Sequence, residues 1–260
     1  MRSYRRIAAF LLPAALAGGL GAAAPKRPIE ISVYAAASLR DVLEDLAPRC
    51  ESQVGIRPVF NFGGSNDLAR QIIAAGKADL FLSADEAWMD KVAAAGLVDG
   101  SSRLSLLSNR LVVVGPADTA IALQGPADLN QPAIRRLALA NPEAVPAGEY
   151  ARAWLEKAGL WDALQGRIVP SLDVRAALSL VESGAADAGV VYRSDVAISR
   201  KVRILYEVPA ADGPRISYAL AALKGPGDPA AVRRLLAWLT GLEATRAFER
   251  YGFVVLAHPS

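Results

Sequence analysis

Two glycines and a serine stand directly before an amphipathic helical pattern in "FGGSNDLARQI", residues 62–72. Three other junctions share this character: "AAASL" at 35–39, "PEAVPAGEY" at 142–150 and "SLDVRAAL" at 171–178. Each places small or hydroxyl residues where a helix is expected to begin. The first helical turn leaves backbone N–H groups without partners, and the aligned peptide dipoles put roughly half a positive charge there. Such ends hold anions without help from lysine or arginine. Taken singly, every junction also reads as ordinary structure. Ser38 and Ser65 are favoured N-cap residues, Gly63 and Gly64 permit a tight turn, and Tyr192 in "GVVYRSD" suits the edge of a core.

Other chemistries find less support. There is no P-loop lysine motif, no Gly-x-Ser-x-Gly elbow and no cluster of cysteine and histidine that could hold zinc. The formal dinucleotide fingerprint Gly19-x-Gly21-x-x-Ala24 follows no strand. An exported serine hydrolase using Ser38 or Ser65 would need a base, and His258, the single histidine, is followed only by Pro259 and Ser260. Asp41, Glu44 and Asp45 fall on or beside the exposed side of a helix whose apolar positions include Val42 and Leu46. They read as solvated charges rather than as a glycosidase pair.

The elements that must position these junctions alternate along the chain. Strand-like runs are "IEISVYAAA", "IRPVFNF", "ADLFLS", "RLVVVG", "RRLALA", "GRIVP", "ADAGVVY", "KVRILYEV" and "ISYALAAL", with helical patterns between most of them. This alternation predicts an α/β protein with largely parallel sheets covered on both faces. Ser83-x-x-Glu86 fits a capping box, and Asp228-Pro229 places a capping aspartate before a proline at the first helical position. Two strand-like crossings, "SNRLVVVG" and "GPRISYAL", divide the mature chain into a discontinuous first lobe, 25–108 plus 216–260, and a second lobe, 109–215.

Residues 1–24 read as a secretory signal peptide. Arg2, Arg5 and Arg6 precede an apolar run from Ile7 to Leu20, which is followed by small residues up to a cleavage point near Ala24. The run is too short and too sharply ended for a bilayer anchor, which needs roughly 20 apolar residues. Removal takes three of the 29 basic residues and leaves 26 against 26 acidic ones. The mature protein is therefore near neutral, and the composition gives no support to a nucleic-acid or anionic-membrane partner. One cysteine, Cys50, cannot form an internal disulfide and is expected as a buried small side chain on a helix. Nothing in the composition signals oligomerisation, so a monomer is the default expectation.

Seven blocks carry a family resemblance: "VYAAASL", "GGSNDLARQI", "KADLFLSADEAWMD", "NRLVVVG", "NPEAVPAGEYARAWLEKAGLWD", "DVRAALSLVESGAADAGVVYRSD" and "YGF" at 251–253. In order and spacing, the chain resembles the molybdate-binding periplasmic proteins of ABC importers over nearly its whole mature length. The resemblance implies a two-lobed, hinged periplasmic receptor, not an enzyme, with a ligand cleft between its lobes. Such a receptor closes on molybdate or tungstate and delivers it to an ABC permease and its ATPase, with no cofactor. Its implied site is formed by the hydroxyls of Ser38 and Ser65, the backbone amides of Ala147 and Val174, and the phenol of Tyr192. Molybdenum would be held as the oxyanion, with no direct bond from metal to protein. Sulfate or another oxyanion is the alternative cargo.

The chain departs from the family's pattern at Gly64, where hydroxyl residues are common, at Asn141, which replaces a frequent aspartate, and at Ala219, where proline often follows the tyrosine. None removes an implied ligand. Asp173 is expected to cap its helix and point away from the anion, and Arg175 to face solvent or its own lobe. A cage of donors with few acceptors favours an oxyanion that carries no proton, so phosphate should be rejected.

Overall fold

The computed structural model describes residues 27–256. The signal peptide read at 1–24 and His258 lie outside the described residues. From its start the chain runs through β1 (Ile29–Ala36), α1 (Arg40–Val54), β2 (Ile56–Gly63), α2 (Ser65–Ala75), β3 (Leu80–Ser83), α3 (Glu86–Ala94) and β4 (Leu104–Ser108). It then enters a second sheet with β5 (Leu111–Pro116), β6 (Leu137–Ala140), α4 (Pro146–Lys157), α5 (Trp161–Leu164), β7 (Ile168–Ser171), α6 (Val174–Glu182), β8 (Ala188–Tyr192), α7 (Arg193–Val196) and β9 (Val202–Glu207). It returns through β10 (Tyr218–Ala222), α8 (Pro229–Leu239), α9 (Leu242–Arg250) and β11 (Val254–Val255).

The strands form two sheets, ordered β11-β4-β10-β3-β1-β2 and β7-β6-β8-β5-β9. Each belongs to one lobe, and the cleft lies between them. Strands joined through helices pair in parallel: β1 with β2 and β3, and β6 with β7 and β8. The expected largely parallel arrangement fails at the crossings. β10 lies antiparallel between β3 and β4, and β5 lies antiparallel between β8 and β9. A parallel neighbour needs a long crossover on the same sheet, whereas β5 and β10 arrive from the opposite lobe and enter in the opposite sense. The sequence reading misses β4, "LSLLS", and β11, whose "VV" is only two residues long.

Both faces of the first sheet are covered, so every residue of β3 is buried. Successive side chains go to opposite faces. Leu80 and Leu82 join the cluster with Leu43, Leu46 and Cys50 of α1 and Leu235 of α8, while Phe81 packs with Leu68 and Ile72 of α2 and Met89 of α3. Cys50 is buried on its helix as expected, and burial pushes its thiol up to about 11, which keeps it protonated. The Ser83-x-x-Glu86 capping box does not form. β3 continues through Ser83, so α3 starts two residues later than that box requires and is capped by Asp85, whose carboxylate accepts from the Trp88 N–H at 3.0 Å. The Ser83 hydroxyl donates instead to the Asp85 carboxylate at 3.1 Å. Asp228 caps α8 with Pro229 at its first position, as the sequence predicts. No helix among the described residues is long and apolar enough to cross a membrane.

Candidate functional site

Five strand ends converge on one place. β1 runs into a single 3-10 turn, Ala37–Leu39, that carries Ser38, and β2 ends in the glycine pair that delivers Ser65 to the first position of α2. From the other lobe, β6 leads to α4, where Val145 is the cap, Pro146 occupies the first position and Ala147 the second. β7 leads to Val174 at the first position of α6, and β8 ends on Tyr192. The placement follows the rule that open α/β sheets gather ligands beyond the carboxyl ends of their strands.

Ser38, Ser65, Ala147, Val174 and Tyr192 line the same small cavity. Ala36, Ala37, Gly63, Gly64 and Ala84 complete the first lobe's wall, and Val145, Pro146 and Asp173 complete the second. No lysine or arginine lines it. Ser65, Ala147 and Val174 stand within the first turns of their helices, where a backbone N–H has no carbonyl four residues back. Proline at 146 costs α4 nothing, since its missing donor is one of those orphans.

The side chains show what the cavity offers. Ser65 Oγ accepts from the Ala84 N–H at 2.9 Å, and Ser38 Oγ lies 2.9 Å from the Tyr218 hydroxyl. The Tyr192 hydroxyl is buried on the cavity wall without a hydrogen-bond partner. Burial holds the Tyr192 phenol well above its ordinary range, so it stays protonated and can donate. A buried polar group left unpaired costs about 1–3 kcal/mol, which makes this hydroxyl a receptive contact for a ligand. Asp173, which also lines the cavity, spends its carboxylate as the cap of α6 and accepts from the Ala176 N–H at 2.9 Å.

Arg175 departs from expectation. Its guanidinium meets Asp195 of its own lobe, but it also reaches across to the other lobe. Nη2 donates to the Ser38 carbonyl at 3.2 Å and lies 2.6 Å from Asp41, while Nε lies 3.0 Å from Asp195, close enough for an ion pair though not aligned as a hydrogen bond. Asp41 is therefore an interlobe partner and not a solvated charge. Asp195 is fully buried. Burial pushes its carboxyl up to about 6, with Arg175 and the Tyr192 N–H, which donates to it at 3.0 Å, pulling the other way. The Arg175 guanidinium is thus occupied by two carboxylates and a carbonyl.

Two more interlobe contacts have no signal in the sequence. Trp88 Nε1 of α3 donates to the Ala144 carbonyl at 3.0 Å. Gly64 faces the other lobe so closely that a Cβ there would sit 3.0 Å from the Leu172 carbonyl and 2.5 Å from Asn66 Oδ1. The departure at Gly64 therefore lets two backbones approach. Tyr218 and Asn109, which brace Ser38, were also missed as site residues, because the contact spans 180 residues of chain and follows no spacing rule.

With this geometry in place, comparisons with known proteins decide the family. Residues 31–254 match the family described as bacterial extracellular solute-binding protein. The chain belongs to that family. The solute-binding protein is 39% identical over 230 residues to the molybdate-binding protein ModA of Escherichia coli, covering 87% of this chain and 89% of that one. Among solved structures it resembles the periplasmic molybdate-binding protein of Azotobacter vinelandii, with a TM-score of 0.79 and 27% identity over 87% of this chain and 99% of that one. It also resembles the substrate-binding domain of a candidate molybdenum ABC transporter from Clostridium difficile, with a TM-score of 0.68 and 28% identity over 87% and 99% of the two chains. The solute-binding protein is a receptor and not an enzyme, and Ser38 and Ser65 are wall groups of a cleft rather than nucleophiles.

Proposed function

We propose that this receptor captures molybdate, and tungstate with it, in the cavity between its lobes and delivers the oxyanion to an ABC permease and its ATPase. The observation that carries the reading is a cavity bounded by two serines, helix-start amides and an unpartnered buried phenol, with no cation on its wall. Moving an ion out of water costs tens of kcal/mol if nothing replaces its hydration. Two serine hydroxyls with their own amides, the Ala147 and Val174 amides and the Tyr192 phenol supply roughly seven donors for four oxygens. In this reading the oxyanion is the cargo, no cofactor takes part and the molecule works as a monomer. The likeness to molybdate-binding proteins of Escherichia coli and Azotobacter vinelandii supports molybdate over sulfate or another oxyanion. Export by the leader at 1–24 and residence in the periplasm complete the proposal, consistent with the family's extracellular description.

Titration calorimetry tests it directly. Molybdate and tungstate should bind with comparable affinity and displace one another, and phosphate at neutral pH should not compete. Equal competition by phosphate would overturn the donor-cage account.

A further inference from the structure

We propose that Tyr218, itself directed by Asn109, fixes the Ser38 hydroxyl as a hydrogen-bond donor toward the cavity and so makes the site selective for oxyanions that carry no proton. This inference rests on the oxyanion reading above and assigns a positioning role to residues that do not line the cavity.

The argument starts from a group whose polarity is unambiguous. The Arg110 backbone N–H can only donate, and it lies 2.9 Å from Asn109 Oδ1. That contact fixes which end of the amide is the carbonyl. The amide nitrogen must therefore face the other way, where it lies 2.8 Å from Ser194 Oγ and 3.4 Å from the Tyr218 hydroxyl oxygen. An amide nitrogen has no acceptor to offer, so the Tyr218 proton cannot point at it. The remaining neighbour is Ser38 Oγ at 2.9 Å. Tyr218 thus donates to Ser38.

A hydroxyl carries one proton and two lone pairs. With one lone pair of Ser38 engaged by the phenol, the serine's own proton is released toward the cavity that Ser38 lines. The same result is reached at Ser65 by simpler means, since the Ala84 N–H that donates to its oxygen is a backbone group and cannot reverse. The two serines are polarised alike, one by an amide and the other through a chain of three residues. Tyr218 is fully buried and held as a phenol by its surroundings, so the chain keeps its direction near neutral pH. A protonated anion such as hydrogenphosphate would bring a proton to two serines whose own protons already point into the cavity.

Calorimetry on Tyr218→Phe, Ser38→Ala and the double variant tests the assignment, with molybdate and inorganic phosphate as ligands at neutral pH, where phosphate keeps a proton. Tyr218→Phe leaves Asn109 bonded to Ser194, and an unchanged melting midpoint of the unliganded protein checks its fold. The expected result is about a tenfold loss of molybdate affinity together with measurable competition by phosphate. In the Ser38→Ala background the Tyr218 substitution should have no further effect, because the phenol acts only through that serine. Asn109→Asp keeps the phenol but gives it an acceptor, and should shift the phosphate-to-molybdate ratio in the same direction. Equal losses in both backgrounds, or retained rejection of phosphate by both Tyr218→Phe and Asn109→Asp, would show that Tyr218 only packs and would overturn the proposal. Failure of the wild type to bind any oxyanion would remove the functional reading and this inference with it.

Discussion

At the scale of single residues, the cavity is defined by what each polar atom already touches. Ser65 is engaged by a backbone amide and Ser38 by a phenol, whereas the Tyr192 hydroxyl has no partner although its residue is buried. Replacing Tyr192 by phenylalanine removes a polar group that the unliganded fold leaves unsatisfied. The unliganded variant is therefore expected to melt at or slightly above the wild-type temperature, while molybdate affinity falls roughly ten- to a hundredfold, as befits a lost contact worth about 1–3 kcal/mol. Thermal melts paired with calorimetry check both halves. A large drop in unliganded stability would mean that the hydroxyl is satisfied in the resting protein.

Among the elements, the helix starts carry both capping and binding. α3 is capped by Asp85, a buried carboxyl that burial pushes up to about 6, although the Trp88 and Ser83 hydrogen bonds oppose the shift. Asp195, at the start of α7, is raised to about 6 for the same first reason. A carboxyl whose pKa is higher folded than unfolded binds its proton more tightly in the native state. Its stabilising effect is complete below the unfolded value and is lost as pH rises through about 6. The wild type should accordingly lose stability between about pH 4 and pH 7. Asp85→Asn, which still caps a helix well, should flatten that dependence by the share of one group. Melting curves across this range decide the matter, and an unchanged slope in Asp85→Asn would sink the attribution.

For the whole molecule, closure depends on contacts that exist only when the lobes meet. Arg175 of α6 reaches Asp41 and the Ser38 carbonyl of the other lobe, and Trp88 reaches the Ala144 carbonyl. Interactions made only in the shut form shift the open–shut equilibrium toward it, and the ligand adds to the same balance. Asp41→Asn removes the interlobe ion pair but leaves Arg175 its buried partner Asp195. The expected outcome is a two- to fivefold faster release of molybdate, of the order of one partly exposed ion pair, with little change in association rate. Stopped-flow measurement checks it, and scattering should find the unliganded variant more open than the wild type. An unchanged release rate would exclude Arg175–Asp41 as a closure contact.

Much of this was legible in the chain itself. Short apolar runs bounded by turn residues mark nine of the eleven strands among the described residues, because they reflect local preferences that act over a few residues. Glycine, serine and proline at the junctions marked where helices begin, since the orphan amides there are a property of any helix start. Other features were decided only by tertiary contacts. The antiparallel insertion of β5 and β10, the bridging of the lobes by Arg175 and the approach of Gly64 to the Leu172 carbonyl join segments far apart in sequence. Hydrogen-bond direction belongs to the same class. Ser38 is a serine in any reading of the chain, but its role as donor depends on Tyr218, 180 residues away, and on an amide turned by one backbone N–H. Local sequence determines which groups a loop can present, and only the packed molecule settles which of their lone pairs and protons remain free.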